Sequence, residues 1–320
     1  MGRLAPPVAA VRVAVKRALS GVPGKLLVAC SGGPDSLALA AATAFVAPRL
    51  GRAAGLVTVD HQLQPGSGGR AAEVVAWARS AGLDPAIAVP VEVAGRGGGP
   101  EAAARQARYE ALVAVAQRVD ASAVLLGHTR DDQAETVLLA LARGAGPRGM
   151  AAMPARRTVE GVLFLRPLLD VSRAQTLAAC EALKLEPWHD PHNASAEYAR
   201  ARVRAALPAL VDALGPAVVA NLARSAALLA QDTAALDTLA GEVSTGTIIP
   251  VHALVGLPAA LRTRVLHRWA RELGAPGSAL SARHVAALDA LVTDWHGQGP
   301  VALPGGLRVG RRAGSLSVIR

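Results

Sequence analysis

Aromatic residues make up only 2% of this 320-residue chain, with 2 Phe, 2 Tyr and 4 Trp. A nucleic-acid site built as a row of stacking rings needs more material than that. Cysteine is nearly absent as well: Cys30 and Cys180 stand far apart, and no Cys-x-x-Cys pair occurs. Neither a zinc ribbon nor an iron–sulfur cluster is signalled, and both thiols are expected to be reduced, small core residues. Long apolar runs are missing too. The longest uncharged stretch, Val243–Leu261, contains Pro250, Pro258 and His252, and does not read as a membrane span. The N-terminal segment is interrupted by Arg12, Lys16 and Arg17, so it lacks the clean apolar centre of a secretory leader. The expectation is a cytoplasmic protein with no membrane partner.

Acidic charge is in the minority. With 24 Asp and Glu against 34 Lys and Arg, the formal net charge is +10. Such a surface favours a polyanionic partner, although an Arg-rich composition alone also produces it. The chain is 52% apolar, enough for a substantial core. Much of that fraction is Ala, so the helices are expected to pack closely on small side chains. The length suits two domains.

Apolar runs at Lys25–Ala29, Gly55–Asp60, Ala86–Val93, Ala123–His128 and Val162–Leu169 read as strands. Between them, segments near Asp35–Phe45, Arg70–Ala81, Glu101–Val119 and Asp131–Arg143 carry helical spacing. This alternation predicts an α/β fold, a doubly wound and mainly parallel sheet covered on both faces. Ligands of such sheets bind at the carboxyl ends of the strands, where Ser31, Asp60 and His128 fall. Gly95–Pro100 reads as a flexible connector. Gly215-Pro216 then breaks the rhythm, so the expected domains are 1–215 and a smaller, mainly helical 216–320. Within the second, Asn221–Val243 reads as a long helix. Its Leu222, Leu229 and Leu236 form a heptad stripe, taken as intramolecular packing. Val301–Ile319 alternates like a hairpin around Pro304-Gly305-Gly306. The oligomeric state, monomer or homodimer, is open.

Chemistry concentrates first at Cys30-Ser31-Gly32-Gly33-Pro34-Asp35-Ser36, between the first strand and the first helix of the alternation. Gly32 and Gly33 lack a Cβ, so the turn can take positive φ and approach a ligand closely. Successive backbone N–H groups and the positive end of the following helix then face one concavity, which suits phosphate. Ser31 and Ser36 add hydroxyls, and Asp35 can help hold Mg2+. No Lys follows the glycines, which excludes the Gly-x-x-x-x-Gly-Lys-Ser/Thr loop. Ser-Gly-Gly-x-Asp-Ser is instead the pyrophosphate loop of enzymes that cut ATP between its α and β phosphates.

Three further clusters carry polar chemistry. Leu126–Thr136 places Asp132, Glu135 and Thr136 on one helix face, with His128 at the preceding strand end. Carboxylates at a helix start also complement its dipole without any ligand. The alternatives are helix-start charge, a metal site, and the preferred reading: a polar pocket wall that holds a cationic substrate. In Glu101–Tyr109, Arg105 and Arg108 share a face and can reach a phosphate, while Glu101 and Arg105 also suit a surface ion pair. His189-Asp190-Pro191-His192-Asn193 is followed by Arg200, Arg202 and Arg204. Arg200 and Arg204 share a face that is either solvated or laid against RNA backbone.

Taken together, Ser31–Ser36, Val59–Leu63, Glu101–Tyr109, Leu126–Thr136, Arg143–Gly146, Arg166–Leu169 and Asp190–Asn193 resemble the tRNA(Ile)-lysidine synthetase family, in the order that family shows. Gly127-His128-x-x-Asp131-Asp132-Gln133-x-Glu135-Thr136 followed by Arg143-Gly-Ala-Gly146 is the most specific part. One departure is Arg200-Ala201, where the family often has Arg-Asn. The resemblance implies a ligase that acts on the wobble cytidine of an isoleucine tRNA with a CAU anticodon. ATP would adenylate the base and release pyrophosphate, and the ε-amine of free L-lysine would displace AMP to form lysidine. The implied roles are Ser31, Gly32, Gly33, Pro34, Asp35, Ser36, Asp60 and His61 for ATP, with Asp35 for Mg2+. Catalysis would fall to Asp35, Asp132, Glu135, His128 and Arg105, and tRNA contact to Arg108, Arg200, Arg202 and Arg204. A tRNA thiolase is the nearest rival, and Cys30 and Cys180 make a poor pair for sulfur transfer. A small-molecule ligase of the NAD or GMP synthetase kind fits the loop and leaves the positive charge unexplained. A nucleotide-binding RNA chaperone without turnover is the non-enzymatic alternative.

Overall fold

The structure, a computed structural model, describes residues 4–62, 66–93, 99–188, 198–243, 246–277 and 279–319. The chain divides into two compact units, Met1–Leu228 and Leu229–Arg320.

The first unit runs α1 (Pro6–Ala18), β1 (Lys25–Ala29), α2 (Pro34–Arg49), β2 (Ala54–Asp60), α3 (Ser67–Ser80), β3 (Ala86–Pro90), α4 (Pro100–Arg118), β4 (Ala121–Leu126), α5 (Arg130–Ala142), α6 (Pro147–Met150), β5 (Arg156–Val159), β6 (Val162–Leu165), α7 (Arg173–Ala182) and α8 (Ala199–Leu214). Helix α9 (Val218–Glu242) begins here and continues into the second unit. The sheet order is β3-β2-β1-β4-β6-β5. All neighbours pair in parallel except β5, which runs antiparallel to β6 at the edge. The doubly wound parallel sheet expected from the alternation is therefore present. β5 escaped the sequence reading because Arg156-Arg157-Thr158-Val159 lies on an exposed edge and shows no apolar run.

β1 is central because both its faces are covered. Leu26, Leu27 and Val28 are fully buried. Leu26 and Val28 pack with Val15, Leu39 and Ala47 on one face, and Leu27 packs with Leu112, Val124 and Phe164 on the other. Each such leucine contributes about 1.5–3 kcal/mol of transfer free energy. Many of the buried positions of α2 are Ala, including Ala38, Ala40, Ala42 and Ala47. That lets the helix lie close to the strands, as the composition suggested. α2 starts at a proline, whose fixed φ suits the first helical position and whose missing N–H would be unpaired there anyway.

The second unit holds β7 (Ile248–Pro250), α10 (His252–Val255), α11 (Ala259–Glu272), α12 (Ala282–Thr293), β8 (Val301–Leu303), β9 (Leu307–Arg312) and β10 (Ser315–Val318). Its sheet order is β7-β10-β9-β8, antiparallel throughout. The expected terminal hairpin is the first of two turns. Gly305 and Gly306 close β8 onto β9, and Ala313-Gly314 closes β9 onto β10, all with positive φ. Trp269, Leu266, Ile249, Leu288, Val309 and Leu316 form the core. Arg262, 9% exposed, donates to Asp289 at 2.6 and 3.2 Å and to the Leu257 carbonyl at 2.8 Å.

Candidate active site

The sheet order reverses between β1 and β4, and the first loop opens at that switch point. Gly127, just past β4, allows a close approach. A Cβ there would stand 2.9 Å from Ser36 Cα and 3.0 Å from Ser36 N. The strand end thus rests on the backbone of the first turn of α2. Gly32 has φ +81°, and a Cβ on it would meet Val74 at 3.1 Å. Ser36 ties the loop together: its Oγ donates to the Gly33 carbonyl at 3.0 Å and accepts from Ser31 N–H at 3.1 Å. Outside the loop, Trp188 N–H donates to the Gly32 carbonyl at 2.9 Å. Arg70 stacks 4.0 Å above the Trp188 ring. N–H groups in the first turn of α2 have no intrahelical partners, so the loop has donors for phosphate oxygens.

The loop lines a cavity of about 580 Å³ whose walls also include Asp60, His61, Arg108, His128, Asp132, Arg173 and Arg204. On one side of it the first turns of α2, α5 and α7 meet. Thr129 caps α5, and its N–H donates to Asp132 Oδ2 at 2.7 Å. Arg173, at the start of α7, reaches three carboxylates. Its Nη1 donates to Glu135 at 3.0 Å, its Nη2 donates to Asp132 at 2.9 Å, and its Nε lies 3.6 Å from Asp35. Its backbone N–H donates to Asp131 at 2.8 Å. Thr176 donates to the other oxygen of Asp35. From α8, Arg204 donates to both oxygens of Glu135, at 2.8 and 3.2 Å, and Arg200 donates to Thr136 at 3.0 Å.

These surroundings set the protonation states. Burial pushes the Asp35 carboxyl up to about 6; Asp132 and Asp131 push the same way, while Thr176 and Arg173 oppose. Burial also works against ionisation of Asp132, but Arg173 and the Thr129 N–H outweigh it and hold that carboxyl below its usual range. Burial depresses the Arg173 guanidinium, and the carboxylates of Asp132, Glu135 and Asp35 more than compensate. Burial pushes His61 down to about 4, with repulsion from Arg108 adding to it. Burial likewise pushes His128 down to about 3 against the pull of Asp132. Both imidazoles are neutral at pH 7, and the Nδ1 atoms of both are buried without a hydrogen bond.

The structure therefore gathers Ser31, Gly33, Pro34, Asp35, Ser36, Asp60, His61, His128, Asp132, Arg108 and Arg204 around one cavity, with Gly32 in the loop itself. Glu135 lies behind that wall, its side chain fully buried. Arg105 is exposed on α4, 5.1 Å from the Tyr109 ring, and does not line the cavity. Arg202 is exposed on α8. Arg200 and Arg204 share a face as expected, but that face turns inward on Glu135 instead of lying solvated, because a fully buried carboxylate needs cationic partners. His189, Asp190, His192 and Asn193, and the connector at 94–98, lie outside the described residues, as does the side chain of Glu101. Arg173, Thr176 and Trp188 were missed by sequence reading. Arg173 sits seven residues beyond Arg166, within reach of the Arg166–Leu169 motif, and that proximity was the only local signal. Arg166 itself is 3% exposed and donates to the Pro154 carbonyl at 2.7 Å and to Tyr109 Oη at 3.1 Å.

Among the described residues no set of three or more His, Cys, Asp or Glu is arranged to hold a metal ion. Asp35 nevertheless fits Mg2+ bound partly by substrate, since that ion needs only one or two carboxylates beside phosphate oxygens. Both oxygens of Asp35 keep lone pairs beyond those used by Thr176 and Arg173. The cysteines flank the loop. Cys30 Sγ lies 3.6 Å from Ser36 Oγ, and Cys180 Sγ donates to the Pro34 carbonyl at 3.4 Å. Both thiols are free and buried, and burial raises both above the ordinary thiol range.

Known proteins agree with this architecture. Residues 11–210 match the PP-loop domain family, and residues 250–317 match the TilS substrate binding domain. The solved U34-tRNA thiolase NcsA from Methanococcus maripaludis shares the fold, with a TM-score of 0.59 over 70% of this chain and 80% of that one at 16% identity. Fold and site together define a PP-loop ATP-binding enzyme. The chain is 67% identical to the tRNA(Ile)-lysidine synthase of Salinispora tropica, covering 100% of this chain and 98% of that protein. It is 56% identical to the one from Thermobifida fusca, with 98% of each covered. The chain belongs to the tRNA(Ile)-lysidine synthase family, and it is an ATP-using ligase.

Proposed function

We propose that this enzyme converts the wobble cytidine of the CAU-anticodon isoleucine tRNA into lysidine in two steps within the one cavity, changing decoding from AUG to AUA and charging from methionine to isoleucine. In the first step the C2 oxygen of cytosine attacks the α-phosphorus of ATP, and the bond to the β-phosphate oxygen breaks to release pyrophosphate. In the second the ε-amine of free lysine attacks C2, the C2–O bond breaks with AMP leaving, and the amine gives up a proton.

The observation that carries this reading is that the pyrophosphate loop and Asp132 line the same cavity. The loop N–H groups and the Ser31 and Ser36 hydroxyls would neutralise the leaving pyrophosphate. When bound, Mg2+ would add positive charge at Asp35 and the phosphates. Asp60 and His61, which also line the cavity, would contact the nucleoside part of ATP. Asp132 would face the lysine ammonium, and Glu135 would act through Arg173 and Arg204 instead of touching substrate. The attacking amine, whose ordinary pKa is near 10.4, must shed a proton, and the neutral His128 on the same cavity wall would contact phosphate. Arg108 and Arg202 would meet RNA phosphate, and the second unit would bind the tRNA body. Among the described residues no single helix is long and apolar enough to cross a membrane, and the proposed setting is the cytoplasm.

The test is pyrophosphate release from ATP with lysine present, comparing isoleucine CAU tRNA, initiator methionine tRNA and no tRNA. Release only with the isoleucine tRNA, together with incorporation of labelled lysine, is the expected result. Release without tRNA would point to a small-molecule ligase, and no release to a binding protein.

A further inference from the structure

We propose that Arg173 is the positioning residue of this site: it gathers Asp35 of the nucleotide loop with Asp132 and Glu135 of α5 into one fixed constellation. The inference rests on the lysidine-forming reading above. Its basis is convergence on a single side chain. One guanidinium spans Glu135 at 3.0 Å, Asp132 at 2.9 Å and Asp35 at 3.6 Å, while the backbone N–H of the same residue holds Asp131 at 2.8 Å.

Arg173 is itself held in register. Ser172 caps α7 in a reciprocal pair with Gln175: Ser172 Oγ accepts from Gln175 N–H at 3.2 Å, and Gln175 Oε1 accepts from Ser172 N–H at 2.9 Å. One residue earlier, the Val171 carbonyl accepts from Arg130 N–H at 2.9 Å. The starts of α5 and α7 are thus tied backbone to backbone and backbone to carboxylate. One turn into α7, Thr176 grips the second oxygen of Asp35. Both oxygens of the loop carboxylate are therefore engaged by the first turn of α7.

The guanidinium suits this task better than an ammonium would. Its donors are fixed in a planar fork, so three acceptors at three angles can be met at once, whereas a lysine supplies one compact charge. Its location also distinguishes it from a purely structural arginine such as Arg166. The Arg173 side chain is 25% exposed and forms part of the cavity wall, while Arg166 is 3% exposed and holds Tyr109 and Pro154. Asp35 is its loosest partner, at 3.6 Å. The loop carboxylate can take up phosphate-bound charge while Asp132 and Glu135 stay clamped.

The test uses the full chain with Arg173→Ala and Arg173→Lys. The expected result for Arg173→Ala is unchanged tRNA affinity, an ATP KM near that of the parent, and kcat for pyrophosphate release lower by about 100-fold, the scale of loss when reacting groups are misplaced by about an ångström. Methylguanidinium in the buffer is expected to restore part of that kcat, and methylammonium is not. Arg173→Lys should show the same split between kcat and KM in milder form. If Arg173→Ala does not fold, as judged by thermal melting, the lysine variant decides. A parent-like kcat in a folded variant overturns the proposal, as does a loss confined to KM or a folded Arg173→Ala enzyme that guanidinium does not rescue. If the parent enzyme itself releases no pyrophosphate with isoleucine tRNA, the underlying reading falls and this proposal with it. Activity in the parent with no effect of the variants removes the proposal alone.

Discussion

Glu135 and Arg204, 69 residues apart, form a two-pronged ion pair, with Arg204 Nε 2.8 Å from Oε1 and Nη2 3.2 Å from Oε2 of a carboxylate that has no solvent exposure. Arg173 donates to the same Oε1 at 3.0 Å. Breaking a buried pair by removing one partner leaves uncompensated charge and costs about 3–5 kcal/mol. Glu135→Ala is therefore expected to lose that much stability in urea unfolding. A loss below about 1 kcal/mol, the range of an exposed pair, would contradict the burial described here.

Asp35 predicts a separation between chemistry and RNA binding. Asp35→Ala is expected to lower pyrophosphate release by about 100-fold or more, as loss of a group stabilising transition-state charge does. Affinity for the tRNA should be largely intact. Parent-like release by this variant, measured with isoleucine tRNA, would refute the role given to Asp35.

The arginines of α8 divide by direction. Arg200 and Arg204 face Glu135, whereas Arg202 is exposed. Arg202→Ala should weaken tRNA binding and flatten the plot of log affinity against log salt by about one unit of slope. Filter binding across a salt series checks this, and an unchanged slope would remove Arg202 from the RNA contacts.

His61 predicts an acid-side loss of stability. Its folded pKa is pushed down to about 4 from 6.5. Between those values the unfolded chain binds more protons than the folded one, so stability falls as pH drops below 6.5 and the loss is complete near 4. His61→Gln removes this contribution. Discounted for partial exposure, the variant should lose about 1 kcal/mol less than the parent between pH 7 and pH 5. Equal losses in urea unfolding at the two pH values would show that His61 titrates normally in the folded state.

The parts of the site legible in the sequence were those encoded within a few residues of one another. Ser31–Ser36 follows an apolar strand, and Asp132 and Glu135 share a helix face by spacing alone. Their partners were not legible. Arg173 stands 38 residues from Glu135, and only the tertiary fold, which ties the starts of α5 and α7 through Arg130 N–H and the Val171 carbonyl, brings them together. Arg200 and Arg204 were correctly placed on one face, but helical spacing carries no information about which way that face turns. Arg105 shows the converse. Its spacing to Arg108 suggested a shared phosphate contact, and the two differ because Arg108 lines the cavity and Arg105 does not. β5 was hidden for a different reason: an exposed edge strand has no need of the apolar pattern that reveals a central one.

The two cysteines offer a practical consequence. Cys30 is 2% exposed and Cys180 is fully buried, and they touch Ser36 and Pro34 respectively. Both belong to the hydrophobic core beneath the loop, so an alkylating reagent reaches either thiol only when that packing opens. Their labelling rate therefore reports local opening under the nucleotide loop, read without substrate, dye or mutation. Slower labelling in the presence of ATP would show that the nucleotide stabilises that packing.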